Sequence, residues 1–209
     1  MNDRHDEVAL EIAACIRSVS SMVYMKLQHN RGSPHEQMPN LEVSNFPLPG
    51  DHAFVEVTIT NPLQRQVVQR AAQESLVAAT LAEEKKMVKY SQLAKEQRRN
   101  LFIAAMEASG AFGRGLSMVL SHCEERVHQA TFDESAHERT WASATFGQFW
   151  KQRIACAFWR GSLQMHLKNT RATNLGEMSP PSARADEELA QTSPTVLHGS
   201  SFFQPSQLF

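Results

Sequence analysis

The chain has 209 residues, 42% hydrophobic, with Lys+Arg 21 against Asp+Glu 22 and a formal net charge of -1. At roughly 100–200 residues per domain this allows one sizeable core and an appendage, and it argues against a polycation that grips nucleic acid along its whole length, though not against a local basic groove. No apolar run approaches the roughly 18 residues of a membrane span, and the acidic opening Met1-Asn2-Asp3-Arg4-His5-Asp6 lacks the basic start of a secretory signal, so neither is expected. Three widely spaced cysteines, Cys15, Cys123 and Cys156, fit a reduced intracellular protein better than a disulfide framework.

Taken in chain order, Val8, Leu10, Ile12, Ala13, Cys15 and Ile16 form a helical stripe over residues 5–18, with Asp6 and Glu7 at its acidic start. A strand is predicted at Met22–Leu27, then a loop from His29 to Met38 containing Gly32 and Pro34. Asn40–Phe46 is short and partly alternating, and Pro47-Leu48-Pro49-Gly50-Asp51 has the chemistry of a chain reversal. The β-branched run Ala53–Thr60 is the strongest strand, and with the preceding segment it predicts a β-hairpin. Gln64 to about Lys95 has no Gly or Pro and predicts one long helix. Leu101–Ala108 reads as a buried strand, closed by the Gly110/Gly113/Gly115 cluster as a strand-to-helix turn. Helices are expected from near Leu116 and over roughly Ser135–Asn169. In the latter, Phe146, Trp150, Ile154 and Phe158 step by four and predict a core-facing stripe. From Thr173 the composition turns to four Pro and six Ser in 37 residues, which predicts a disordered tail after a domain of residues 1–172. The order of elements is that of a mixed α/β layer sandwich with a small sheet.

The chemistry concentrates around the hairpin. Glu42 and Glu56 lie on its two strands with 13 residues between them, a spacing that can bring two carboxylates together. Paired carboxylates are what Mg²⁺ requires, and a metal so held activates water and stabilises a leaving phosphate oxygen. Glu56 lies among Phe54, Val55, Val57 and Ile59, where an unpaired charge would be costly. Glu83, Lys86 and Lys89 recur every three residues along one side of the predicted helix, with Tyr90 beside the last. From Lys85 to Arg99, six basic residues (Lys85, Lys86, Lys89, Lys95, Arg98, Arg99) stand against Glu96 alone, a local +5. Lys151–Arg171 carries Lys151, Arg153, Arg160, Lys168 and Arg171 with no acid, another +5. Such segregation suits a phosphate backbone. The histidines have no zinc-ligand spacing, His5, His29 and His35 read as surface or packing residues, and the glycine cluster lacks the Gly-Lys-Ser/Thr ending of a phosphate loop.

Pro39-Asn40-Leu41-Glu42-Val43 followed by Val55-Glu56-Val57-Thr58-Ile59-Thr60-Asn61-Pro62-Leu63 resembles the core of the PD-(D/E)XK nuclease superfamily. More narrowly, it is similar to the restriction-like endonuclease domain at the C-terminal end of some non-LTR retrotransposon reverse transcriptases. Glu83-x-x-Lys86-x-x-Lys89-Tyr90 matches that group's lysine-bearing helix, and Phe102–Gly110 its next strand, with Ala104 for the usual proline. Arg4-His5-Asp6 resembles its opening Arg-His-Asn, and Arg153–Gly161 its closing basic helix, so the likeness covers about residues 4–170. It implies a restriction-endonuclease-like fold and Mg²⁺- or Mn²⁺-dependent hydrolysis of DNA. Glu42 and Glu56 would hold the metal, Lys86 would orient water or stabilise the phosphorus, and Lys89 with Tyr90 would support the phosphate. It further implies a reverse transcriptase module in a longer parent polyprotein and a nuclear site of action. The departures are Asn40 and Glu42 at the usual Pro-Asp, and Thr58 where the superfamily has its catalytic lysine, a threonine normal for the retroelement group. An active nuclease, an inactive DNA-binding module of the same fold and a helical scaffold without a nucleic-acid role all remain open on these residues.

Overall fold

The structure is a computed structural model that describes residues 3–19, 22–25, 38–129, 143 and 145–177. Along the chain run α1 (Asp3–Ser18), β1 (Met22–Met25), β2 (Leu41–Ser44), β3 (His52–Thr60), α2 (Val68–Ala71), α3 (Val77–Glu96), β4 (Asn100–Glu107), α4 (Arg114–Gln129) and α5 (Phe146–Glu177). The chain divides into two units, Met1–Asn169 and Thr170–Phe209, and of the second only the last turns of α5 are described. Among the described residues no helix is long and apolar enough to cross a membrane.

A four-stranded mixed sheet in the order β1-β2-β3-β4 lies between helices. β2 and β3 form the predicted hairpin, Leu41 opposite Val55 and Ser44 opposite His52. At its turn the Phe46 N–H donates to the Asp51 carbonyl at 3.1 Å, and Gly50 supplies a φ of 87° that other residues rarely adopt. β1 adds antiparallel to β2, and β4 runs parallel to β3 with Ile103 beside Glu56. A parallel neighbour needs a long crossover, which α2 and α3 provide.

Side chains alternate across the sheet, so β2, β3 and β4 each serve two layers. Leu41, Val43, Ala53, Val55, Val57, Phe102, Ala104 and Met106 face the main core with α1, α4 and the stripe Trp150, Ile154 and Phe158 of α5. Each large apolar chain buried there stabilises the fold by about 1.5–3 kcal/mol. On the other face, α3 packs over β3 and β4 through Val77, Ala78, Ala79, Tyr90 and Ala94. Glu56 lies in that second layer.

The Gly/Pro-free stretch is two helices, not the one that propensity predicts. α2 stops at Ala71, and α3 begins only after Leu76, whose φ is 62°. Burial decides the break: Val77, Ala78 and Ala79 must reach the sheet, and the Ala79 N–H donates to the buried Glu107 carboxylate at 3.2 Å. Glu107, from the end of β4, thus does the work of an N-cap that Leu76 cannot do. The glycine cluster is the strand-to-helix turn predicted for it. Gly115 lies so close to the Ile103 carbonyl that no Cβ fits. α5 opens on the capping pair Thr145–Gln148, whose hydroxyl accepts the Gln148 N–H at 3.2 Å, rather than near Ser135. Of the interval before it, residues 135–142 and 144 lie outside the described residues. At its other end α5 continues to Glu177, past the expected boundary at 172. Residues 178–209 of the expected tail, and 29–37 of the expected loop, also lie outside the described residues.

Candidate functional site

Glu56 is 4% exposed at the middle of β3. One step beyond the Leu41–Val55 pair, the hairpin register sets Asn40 opposite it. The Asn40 backbone N–H donates to Glu56 Oε2 at 3.1 Å, while Asn40 Oδ1 accepts the Val57 N–H at 2.8 Å. Glu56 Oε1 accepts from Lys86 Nζ at 2.5 Å and from the Tyr90 hydroxyl at 3.3 Å. Lys86 and Tyr90 lie one turn apart on α3, which brings both over the strand. A buried carboxylate is tolerated only when it is paired and hydrogen-bonded, and these three donors meet that need.

β2 ends at Leu41, so the edge of β3 at Val57 has no strand beside it. Asn40 takes the Val57 N–H, and Nε2 of His5, a buried residue of α1, lies 3.0 Å from the Val57 carbonyl. The other ring nitrogen of His5 lies 3.1 Å from the Asp6 carboxylate. Asn40 and His5 therefore complete the sheet where a strand is missing, next to Glu56. Neither was singled out for the site from sequence, although Pro39-Asn40 and Arg4-His5-Asp6 both belong to the quoted motifs.

Glu42 shares the sheet face of Glu56 but not its surroundings. It stands opposite Phe54, diagonal to Glu56, and its carboxylate meets Arg99 at 2.7 Å. The Arg99 guanidinium lies 4.8 Å from the centre of the Phe54 ring. Lys89 Nζ lies over the Tyr90 ring at 4.8 Å, with Lys86 over it at 5.7 Å. Glu83, in the same helical row, turns to the start of α4 and accepts the Gly115 N–H at 2.8 Å. Burial pushes its carboxyl above the ordinary glutamate value, against the opposing pull of the Gly115 and Ala105 backbone bonds and of Arg114.

Lys85, Lys95 and Arg98 are exposed on or just beyond α3. Its end is a Schellman turn: the Arg99 N–H reaches the Ala94 carbonyl at 2.9 Å and the Arg98 N–H that of Lys95 at 3.1 Å. Arg98 occupies the left-handed position of that turn, φ 51°. The second basic segment has different neighbours. Lys151 is exposed, but Arg153 is bidentate to Glu11 at 3.0 and 3.2 Å, and Arg160 meets Glu7 at 3.4 Å and Glu11 at 3.9 Å. The acids that balance it come from α1, far away in sequence.

A hard divalent cation takes about six oxygen ligands, with carboxylates among them. Here Lys86, Tyr90 and Asn40 engage Glu56, and Arg99 engages Glu42. Among the described residues no three His, Cys, Asp or Glu side chains converge. The donor set, as arranged, does not fit Mg²⁺ or Mn²⁺ shared by Glu42 and Glu56; such an ion would have to displace Lys86 from one carboxylate and Arg99 from the other. No family model, curated protein or solved structure matches the chain.

Proposed function

We propose that residues 1–172 are a nucleic-acid-binding domain with a restriction-endonuclease-like architecture, derived from a retroelement polyprotein and without the second carboxylate of a cutting site. The observation that carries this reading is that Glu56 on β3 and Lys86 of α3, two residues the resemblance assigns to one site, meet at 2.5 Å. The residue across from Glu56, directly after Pro39, is Asn40 instead of an aspartate. An amide there offers a neutral oxygen where a metal needs charge. The exposed cations Lys85, Lys95 and Arg98 support contact with a phosphate backbone.

The second reading is an active metal-dependent endonuclease with Glu56 and Lys86 at its centre, favoured by the same ion pair. Gel retardation across a salt series, run beside plasmid nicking in Mg²⁺ and in Mn²⁺, separates the two. Salt-sensitive binding without nicking is the expected result. Nicking that disappears in Glu56→Ala would establish the nuclease instead, and no retardation at low salt would leave a scaffold without a nucleic-acid role.

A further inference from the structure

One face of the sheet has a half that no described helix covers. Tyr24 pairs with Glu42 and Met22 with Ser44, so both lie on the face that bears Glu42 and Glu56. α3 packs on β3 and β4 on this face, and over β1 Tyr24 and Met22 are each 59% exposed. Beside this open platform the cations outnumber the acids, exposed Glu96 being held by Gln92 Nε2 at 2.8 Å. Glu42, directly across from Tyr24, is met by Arg99, which removes the carboxylate as a source of repulsion. Arg99 is anchored over Phe54, which brings the end of α3, with exposed Lys95 and Arg98, to the same side of the sheet. Arg98 holds a backbone conformation that glycine adopts at lower cost.

We propose that this platform binds single-stranded nucleic acid, with a base stacked on Tyr24 and the phosphates on Lys95 and Arg98. The inference rests on the nucleic-acid reading above and narrows its substrate class. An aromatic face flanked by cations recognises unpaired bases, because every base presents a stacking surface that a duplex hides between its pairs. Duplex DNA would use the cations and leave Tyr24 idle.

Fluorescence anisotropy with the full chain, using a labelled oligothymidylate and a duplex of equal length, tests it on wild type, Tyr24→Ala, Tyr24→Phe and Arg98→Gly. Thermal melts confirm that each variant is folded. The single strand is expected to bind more tightly than the duplex. Tyr24→Ala should lose about tenfold in affinity for the single strand and leave the duplex and the salt slope unchanged. Tyr24→Phe should restore binding, and Arg98→Gly should weaken binding while flattening the salt slope by about one. Duplex binding as tight as single-strand binding, or Tyr24→Ala equal to wild type, would overturn this inference and leave the nucleic-acid reading standing. Binding of neither ligand at low salt would overturn both.

Discussion

Replacing Lys86 with methionine keeps the length and apolar stem of the side chain and removes its charge. Glu56 would keep the Asn40 N–H and the Tyr90 hydroxyl and lose its only ionic partner among the described contacts. Stranding one member of a buried pair costs about 3–5 kcal/mol. The Glu56 side chain is 5% exposed and that of Lys86 29%, so some solvent reaches the pair and the lower end applies, about 3 kcal/mol. In a domain of this size that lowers the melting temperature by about 6–12 °C. Glu56→Gln should cost less, about 1–2 kcal/mol, because the lysine can turn to water while the amide keeps part of the hydrogen bonding. The double variant should then be more stable than Lys86→Met alone, with a coupling energy of about 2 kcal/mol. Urea denaturation of the four proteins at pH 7 supplies the cycle, and unchanged m-values would show that only the native pair was altered. A loss below about 0.5 kcal/mol in Lys86→Met, or strict additivity, would mean that the lysine lives in solvent. A buried Glu56–Lys86 centre would then be refuted.

Glu107→Ala removes the carboxylate that receives the Ala79 N–H, and chemical denaturation should show a loss of about 2 kcal/mol. Arg98→Gly relieves a left-handed residue, so its melting temperature should rise, by an amount equivalent to about 1 kcal/mol, even as nucleic-acid affinity falls. The raised Glu83 carboxyl means that the folded protein holds its proton more tightly than the unfolded chain. Stability from this group is therefore present below the ordinary value of 4.5 and lost as pH rises through the higher folded value. Glu83→Gln, which imitates the protonated form, should accordingly gain on wild type as pH rises from 4 to 7 in urea titrations. A difference that is flat or falls with pH would count against desolvation of the half-buried Glu83 carboxyl.

Local chemistry made several elements readable. β-Branched residues mark β3, Pro-Gly-Asp marks the hairpin turn, and a four-residue step marks the buried side of α5. The break between α2 and α3 escaped because nothing between 64 and 95 opposes a helix. Only the need to bury Val77–Ala79 and to place the Ala79 N–H against Glu107 creates it. Asn40, just before β2, and Glu42 within it have the same parity and hence face the same side. Which of them stands across from Glu56 depends on a register that the turn sets, and a reading of spacing alone cannot supply it.

Charge shows the same division. The 209 residues and net -1 already contain the basic run of α3 and the acid-free run of α5, and counting finds both. What counting could not find is that Glu7 and Glu11 lie against Arg153 and Arg160, while Lys95 and Arg98 stay open to solvent. Periodicity and turn chemistry act over a few residues, and a linear chain displays them in full. The partners of Glu56, the missing strand beside Val57 and the uncovered face of Tyr24 arise from segments tens of residues apart, so only folding brings them together.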